Sequence, residues 1–138
     1  MIGIVIVTHA QLGQAILETA ESILGEKIQN SLAVSINLTE DVDNLRSLIE
    51  KAIKKVTGEN GVLILTDMFG GTPSNLSYSF LEDGRIEVLS GVNLPIVLKA
   101  INLRKKLPLP EMVIKLEEQG KKSISLASSI LKGNKRSV

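Results

Sequence analysis

Short apolar runs alternate with amphipathic segments along the whole chain. Residues 2–7, 31–36, 62–66 and 85–90 are rich in Ile, Val and Leu, which is typical of strands. The first run is apolar at every position, as in a parallel strand that is covered on both faces. The segments between these runs carry apolar residues at helical spacing. The alternation predicts an α/β fold with a doubly wound, mainly parallel flavodoxin-like sheet and helices on both faces.

Five helices are predicted between and after these strands. Two of them begin at prolines, Pro73 and Pro95, and a missing N–H is harmless at a first helical position. Thr39 is expected to cap the long second helix through its hydroxyl group. The predicted ranges are residues 14–24, 40–56, 73–83, 95–106 and 111–119.

The segment after the last helix is ambiguous. Serine alternates with Ile or Leu over residues 123–126, which favours an extended strand, and residues 130–131 either extend it or fold back. We expect one domain over residues 1–131. Residues 132–138 are expected to form a loose C-terminal tail, and a basic recognition tail is the alternative.

The composition narrows the possible functions. The chain has 138 residues, of which 43% are hydrophobic and 2% aromatic, and its net charge is +1. A nearly neutral chain argues against electrostatic binding to nucleic acid or to anionic lipid. The absence of cysteine excludes disulfides, thiolate chemistry and cysteine metal sites. The first apolar run lacks a basic flank and is too short to span a membrane, so we expect a cytoplasmic protein without membrane insertion.

Two candidate catalytic residues follow two of the predicted strands. The single histidine, His9, follows the first strand, and Asp67 follows the third. In the flavodoxin-like order these strands are neighbours at the switch point where ligands bind. A carboxylate that accepts a hydrogen bond from Nδ1–H fixes the ring and leaves Nε2 free to attack. The pair therefore predicts a histidine that accepts and donates a phosphoryl group, with Asp67 as its orienting residue.

The alternatives for His9 and Asp67 are a structural role for each residue and a shared metal site. His9 could be a hydrogen-bonded loop residue, and Asp67 could be a turn or cap residue. A metal site is not expected, because one histidine and a scattered carboxylate provide too few ligands.

A glycine turn after the third strand is the candidate phosphoryl-binding segment. Gly70 and Gly71 allow a sharp turn and a close approach to a ligand. Thr72 can cap the helix that Pro73 opens. Free amides and the positive dipole end of such a helix suit an anion, so Gly70, Gly71 and Thr72 are predicted to bind the phosphoryl group. The alternative is an ordinary strand-to-helix turn.

Three motifs resemble the mannose-family IIA domain of the bacterial sugar phosphotransferase system. They are Thr8-His9 after the first strand, TDMFGGTPSN over residues 66–75, and SGVNLP over residues 90–95. The resemblance covers nearly the whole chain. Phe69 stands where the family often has tryptophan, and Thr72 where serine is common.

The resemblance implies that His9 is phosphorylated at Nε2 with Asp67 as its hydrogen-bond partner. The donor would be the histidine phosphocarrier protein HPr, and the acceptor a histidine of a IIB component. Membrane IIC and IID components would be served indirectly, and no cofactor is implied. The resemblance also implies a homodimer that exchanges a C-terminal strand, which would account for residues 123–128.

Partner contacts and alternative functions remain open at this point. Phe69, expected to be exposed, either packs on a partner or closes its loop, and Ala10 and Gln11 are also expected to contact partner proteins. One alternative is a regulatory module in which phosphorylated His9 switches binding without obligatory transport. Another is the phosphocarrier subunit of a dihydroxyacetone kinase, which generally lacks the GG-[ST]-P-x-N pattern. A nucleotide or flavin binder is disfavoured because aromatic residues are scarce.

Overall fold

The structure is a computed structural model that describes residues 1–132. Within them, four strands form one sheet, in the order β2-β1-β3-β4, and every pairing is parallel. This confirms the predicted α/β class and the predicted adjacency of the first and third strands. The strands are β1 (Gly3–His9), β2 (Ser31–Ile36), β3 (Val62–Thr66) and β4 (Ile86–Ser90).

Helices cover both faces of the sheet, as predicted. They are α1 (Leu12–Leu24), α2 (Val42–Val56), α3 (Gly71–Tyr78), α4 (Leu94–Leu103), α5 (Leu109–Lys122) and α6 (Ala127–Leu131). Helices α1, α4 and α5 pack on one face, and α2 and α3 pack on the other. None of the helices in the described part of the chain has both the length and the apolar character to cross a bilayer.

Strand β1 shows why the first apolar run is unbroken. Ile4 and Ile6 belong to the core under α1, α4 and α5, whereas Val5 and Val7 belong to the core under α2 and α3. Successive side chains of a strand point to opposite faces, so a strand covered on both faces needs an apolar residue at every position. All four side chains are buried.

Several predicted helix boundaries were wrong. Helix α3 ends at Tyr78 and not near residue 83, and α4 ends at Leu103 and not at residue 106. Thr39 does not cap α2, which begins after Asp41, because the Thr39 hydroxyl donates to Asn37 in the preceding turn. Helix α5 continues past Gly120 to Lys122. A Cβ at Gly120 would come within 2.7 Å of Ile96 on α4, so this glycine allows close helix packing and does not end the helix.

The predicted C-terminal strand is not formed in this chain. Residues 124–126 pair with no strand of the described residues, and Ala127–Leu131 form the short helix α6. An extended segment becomes a strand only where it meets a free sheet edge, and alternation alone does not supply that edge. Exchange of this segment between subunits stays a prediction. Residues 133–138 of the predicted loose tail lie outside the described residues.

Candidate active site

His9 and Asp67 meet at the carboxyl edge of the sheet. His9 is the last residue of β1, Asp67 follows β3 directly, and the two strands pair in parallel with Val7 opposite Thr66. The Asp67 Oδ2 atom lies 2.7 Å from His9 Nδ1 and accepts the backbone N–H of His9 at 2.9 Å. The structure therefore brings together the two residues that the topology placed in one crevice. With Asp67 ionised, Nδ1 carries the proton and Nε2 of the neutral ring keeps its lone pair.

The environment keeps Asp67 ionised. Burial raises the pKa of Asp67, but hydrogen bonds from the His9 amide and ring, together with the attraction of the ring when it is protonated, outweigh burial, so this pKa lies below its usual value. The Asp67 side chain is 10% exposed, whereas the His9 side chain is 33% exposed. The pair is thus open to an approaching protein on the histidine side.

The chain turns sharply after His9. Ala10 has a φ of +48°, in the left-handed region that L-residues avoid. Two residues later α1 begins, and the amide of Gly13 donates to the buried hydroxyl of Thr8 at 2.8 Å. The start of α1 is thereby held against β1, next to the histidine.

Ala10 and Gln11, the predicted partner contacts, lie on an open surface. Both are exposed and, with His9 and Leu38, line a groove of about 410 Å³ at the ends of β1 and β2. Gln11 Oε1 accepts from the Ser35 hydroxyl at 3.3 Å. The groove begins at the His9 ring and is open to solvent.

The glycine turn lies beside the outer edge of the imidazole. Gly70 and Gly71 have φ of +81° and +80°, and α3 begins at Gly71. Thr72 is therefore the second helical residue and makes no capping hydrogen bond, so its predicted role as the cap was wrong. A Cβ at Gly71 would lie 3.2 Å from His9 Cε1 and 3.6 Å from Nε2. The first turn of α3, with its free amides, is thus next to Nε2.

Phe69 is exposed, as predicted. Its side chain is 82% exposed, and its ring centroid lies 6.1 Å from that of Tyr78. The neighbouring Met68 is also exposed. The loop between β3 and α3 therefore presents two large apolar side chains to solvent, beside the histidine.

Sequence reasoning missed a hydroxyl cluster below this loop. Thr66 Oγ1 lies 2.7 Å from Ser74 Oγ and donates to Ser90 Oγ across 2.8 Å, and Ser74 Oγ donates to the carbonyl of Met68. Thr66 and Ser74 are fully buried. The one sign of this cluster in the sequence is Thr66, a hydroxyl residue at the end of the otherwise apolar strand β3.

The arrangement suits transfer of a phosphoryl group to histidine. One ring nitrogen is fixed by a carboxylate, the other lies beside a helix N-terminus, and the carboxylate can stabilise an imidazolium. In the described residues no three His, Cys, Asp or Glu side chains come close enough to hold a metal ion.

Known proteins have sequences similar to that of this chain. Residues 3–117 match the family described as PTS system fructose IIA component. The fructose-specific EIIA component of the PTS of Bacillus subtilis (strain 168) is 36% identical over 132 residues, which cover 95% of this chain and 90% of that protein. The mannose-specific EIIAB component of Escherichia coli (strain K12) is 31% identical over 125 residues, which cover 89% of this chain but 38% of that longer protein.

A solved structure gives the same result. The crystal structure of phosphotransferase system component EIIA from Streptococcus agalactiae superposes with a TM-score of 0.83 at 27% identity. The match covers 94% of this chain and 99% of that chain. The likeness thus extends over nearly all of this chain.

Proposed function

The chain belongs to the mannose family of EIIA components of the bacterial sugar phosphotransferase system, and on that premise we propose that it carries a phosphoryl group on His9. EIIA components are phosphotransferases that work with HPr and IIB proteins. HPr would phosphorylate His9, and a cytoplasmic IIB component would take the group from it. The observation that carries this proposal is the 2.7 Å contact between His9 Nδ1 and Asp67, which leaves Nε2 beside the turn that opens α3.

In the first transfer, Nε2 of His9 attacks phosphorus on the phosphohistidine of HPr. The new N–P bond forms as the N–P bond to the donor ring breaks, and the donor ring, which is protonated at its other nitrogen, leaves with that electron pair as a neutral imidazole. The His9 ring then carries a proton on Nδ1 and the phosphoryl group on Nε2. Its positive charge is balanced by Asp67, which accepts from Nδ1 throughout. No net proton transfer is required.

The turn after β3 supplies the groups for the phosphoryl oxygens. Gly71 leaves room beside Nε2, and residues 70–72 present the free amides of the first turn of α3. Amides and a helix dipole that are fixed before reaction stabilise charge without reorganising. The Thr72 hydroxyl, which makes no capping bond, is available as a further donor.

Transfer to IIB is the same reaction in reverse. The phosphoryl group moves from one histidine nitrogen to another, so the two N–P bonds are chemically alike and a site that serves one direction serves both. We assign the contacts with both partner proteins to Phe69, Ala10 and Gln11, which are exposed around the ring.

We further propose that residues 1–131 act as one EIIA domain within a homodimer. The exchanged segment, residues 123–128, would pair with the free edge of β4 in the partner subunit. Ile124 and Leu126 are 86% and 53% exposed in the single chain, so both gain cover in such an exchange.

The test is a phosphorylation assay with phosphoenolpyruvate, enzyme I and HPr on wild type and His9→Ala. We expect an acid-labile, base-stable phosphate on wild type and none on His9→Ala. Circular dichroism of both proteins checks that the substitution leaves the fold intact. No label on wild type, while a known EIIA in the same mixture is labelled, would refute the proposal.

A second step separates transport from regulation. Phosphorylated protein is mixed with a purified IIB component, and the label is followed. Transfer to IIB supports the transport role. Retention of the label on His9, with binding to a regulator that depends on it, supports the regulatory module instead.

A further inference from the structure

The loop between β3 and α3 has little backbone support of its own. In the described part of the chain, no backbone-to-backbone hydrogen bond outside the regular elements involves residues 67–70. Its carbonyl at Met68 instead accepts from the Ser74 hydroxyl on the first turns of α3. The Ser74 side chain therefore supplies the hydrogen bond that a backbone amide usually supplies in a turn.

The hydroxyl of Ser74 is itself fixed by its neighbours. Thr66 Oγ1 lies 2.7 Å from it, and Ser90 Oγ lies 3.4 Å from it. Tyr78 OH also reaches Ser90 at 3.4 Å. Because Ser74 and Thr66 are fully buried, neither hydroxyl can exchange these partners for water. The cluster thus holds the Ser74 oxygen in place within hydrogen-bonding reach of the Met68 carbonyl, which can only accept.

The same loop residue connects the cluster to the catalytic pair. The Met68 amide donates to Asp67 Oδ1 at 3.1 Å, while Oδ2 accepts from the amide and the ring of His9. The carbonyl and the amide of Met68 belong to successive peptide groups joined at its Cα, so a backbone shift of Met68 that follows loss of the Ser74 contact would also displace the amide that donates to Oδ1 and let the carboxylate turn away from the ring. Small misplacements of this kind cost large factors in rate.

We propose that Ser74, held by Thr66 and Ser90, is a positioning residue that fixes the Asp67 carboxylate against His9. It does not touch the phosphoryl group and acts only through the loop. The inference rests on the proposed function for its kinetic part. Its structural part, the orientation of the His9 ring, can be measured on unphosphorylated protein.

Ser77 provides a matched control on the same helix. It is also a fully buried serine, but its hydroxyl donates to Pro73 within α3 and does not reach the loop. Both Ser74→Ala and Ser77→Ala remove one buried hydroxyl from α3. A role limited to stability would lower the melting temperature in both variants without affecting the His9 ring.

The experiment compares the two variants by two readouts. Nitrogen-15 chemical shifts of the His9 ring report the tautomer in the free protein, and single-turnover kinetics with phosphorylated HPr report the transfer rate. For Ser74→Ala we expect a mixture of the two ring tautomers and a rate about tenfold below wild type. For Ser77→Ala we expect the Nδ1–H tautomer and a rate within about twofold of wild type.

Thr66 supplies an independent pair of variants, in case Ser74→Ala does not fold. Thr66→Val removes the hydroxyl at nearly constant shape and should reproduce the Ser74→Ala tautomer mixture, whereas Thr66→Ser keeps the hydroxyl and should restore the wild-type shifts. Unchanged ring shifts in both Ser74→Ala and Thr66→Val would overturn the inference. Wild type that is not phosphorylated would refute the proposed function instead, and the ring shifts would still decide this point.

Discussion

The carboxyl edge of the sheet and the C-terminal segment differ in where their partners come from. At the edge, each polar atom of the His9 and Asp67 contact is paired within the same chain. In residues 124–131, the apolar side chains are largely uncovered, and helix α6 buries none of its residues. The first region is paired within a single chain, whereas the second presents exposed apolar side chains, which in the proposed dimer a second molecule would cover.

The residues that orient the imidazole are therefore distinct from the residues of the proposed dimer interface. The orientation of the imidazole depends on β1, β3 and the loop at residues 67–70, and among the described residues neither strand packs extensively against α6. Changes in the C-terminal segment should therefore alter association without altering the reactive ring. Changes at the edge should do the opposite.

The largest expected effect comes from charging the C-terminal segment. Ile124→Asp with Leu126→Asp should weaken the dimer at least about 100-fold, since each apolar side chain contributes roughly 1.5–3 kcal/mol when buried. Sedimentation equilibrium measures the dissociation constant. Val42→Asp, which charges another exposed apolar residue at the start of α2, is the control and should leave it unchanged. A double variant that stays as dimeric as wild type would remove the segment from the interface.

A smaller effect is expected from the two glycines of the turn. Gly70→Ala and Gly71→Ala both force a left-handed residue and should each cost about 1–2 kcal/mol in the free energy of unfolding. Only the Cβ at Gly71 would meet the His9 ring. We expect Gly71→Ala to slow phosphorylation about tenfold relative to Gly70→Ala. Denaturant titration and single-turnover kinetics check the two parts, and equal rates would show that the space beside the ring is unimportant.

The smallest effect is an acid dependence of stability that comes from the catalytic pair. The pKa of Asp67 is lower in the folded state, so its contribution is present above the unfolded value of about 3.9 and is lost as pH falls through the folded value. Between about pH 4 and pH 2, wild type should lose more of its free energy of unfolding than Asp67→Asn. The exposed Asp83 is the control, and Asp83→Asn should follow the wild-type curve. Parallel curves for wild type and Asp67→Asn would contradict the assigned hydrogen bonds.

The sequence was sufficient to predict that His9 and Asp67 lie close together. It was not sufficient to predict the hydrogen bonds that fix the loop carrying Asp67. Alternating strands and helices put the ends of β1 and β3 side by side, and this adjacency alone brings His9 to Asp67. The contact between Ser74 and the Met68 carbonyl follows from the conformation of the loop. No residue spacing encodes it, because a buried serine in a helix has many possible acceptors.

The wrong predictions also have physical causes. Thr72 resembles a cap because it precedes a proline, but α3 starts at the left-handed Gly71, two residues before the predicted start at Pro73. The segment at residues 123–126 has a strand pattern without a strand partner in its own chain. The first failure concerns the backbone conformation of a glycine, and the second concerns a strand partner, and residue pattern alone specifies neither.

Strands β1 and β3 each have a neighbour on both sides, whereas β2 and β4 lie at the edges of the sheet. Amide protons of such central strands exchange with solvent only through the highest-energy openings, while edge strands fray at much lower cost. His9 ends one central strand and Asp67 follows the other. The pair is thus attached to the slowest-exchanging part of the protein. It should stay assembled through every partial opening and separate only in the cooperative unfolding of the whole sheet.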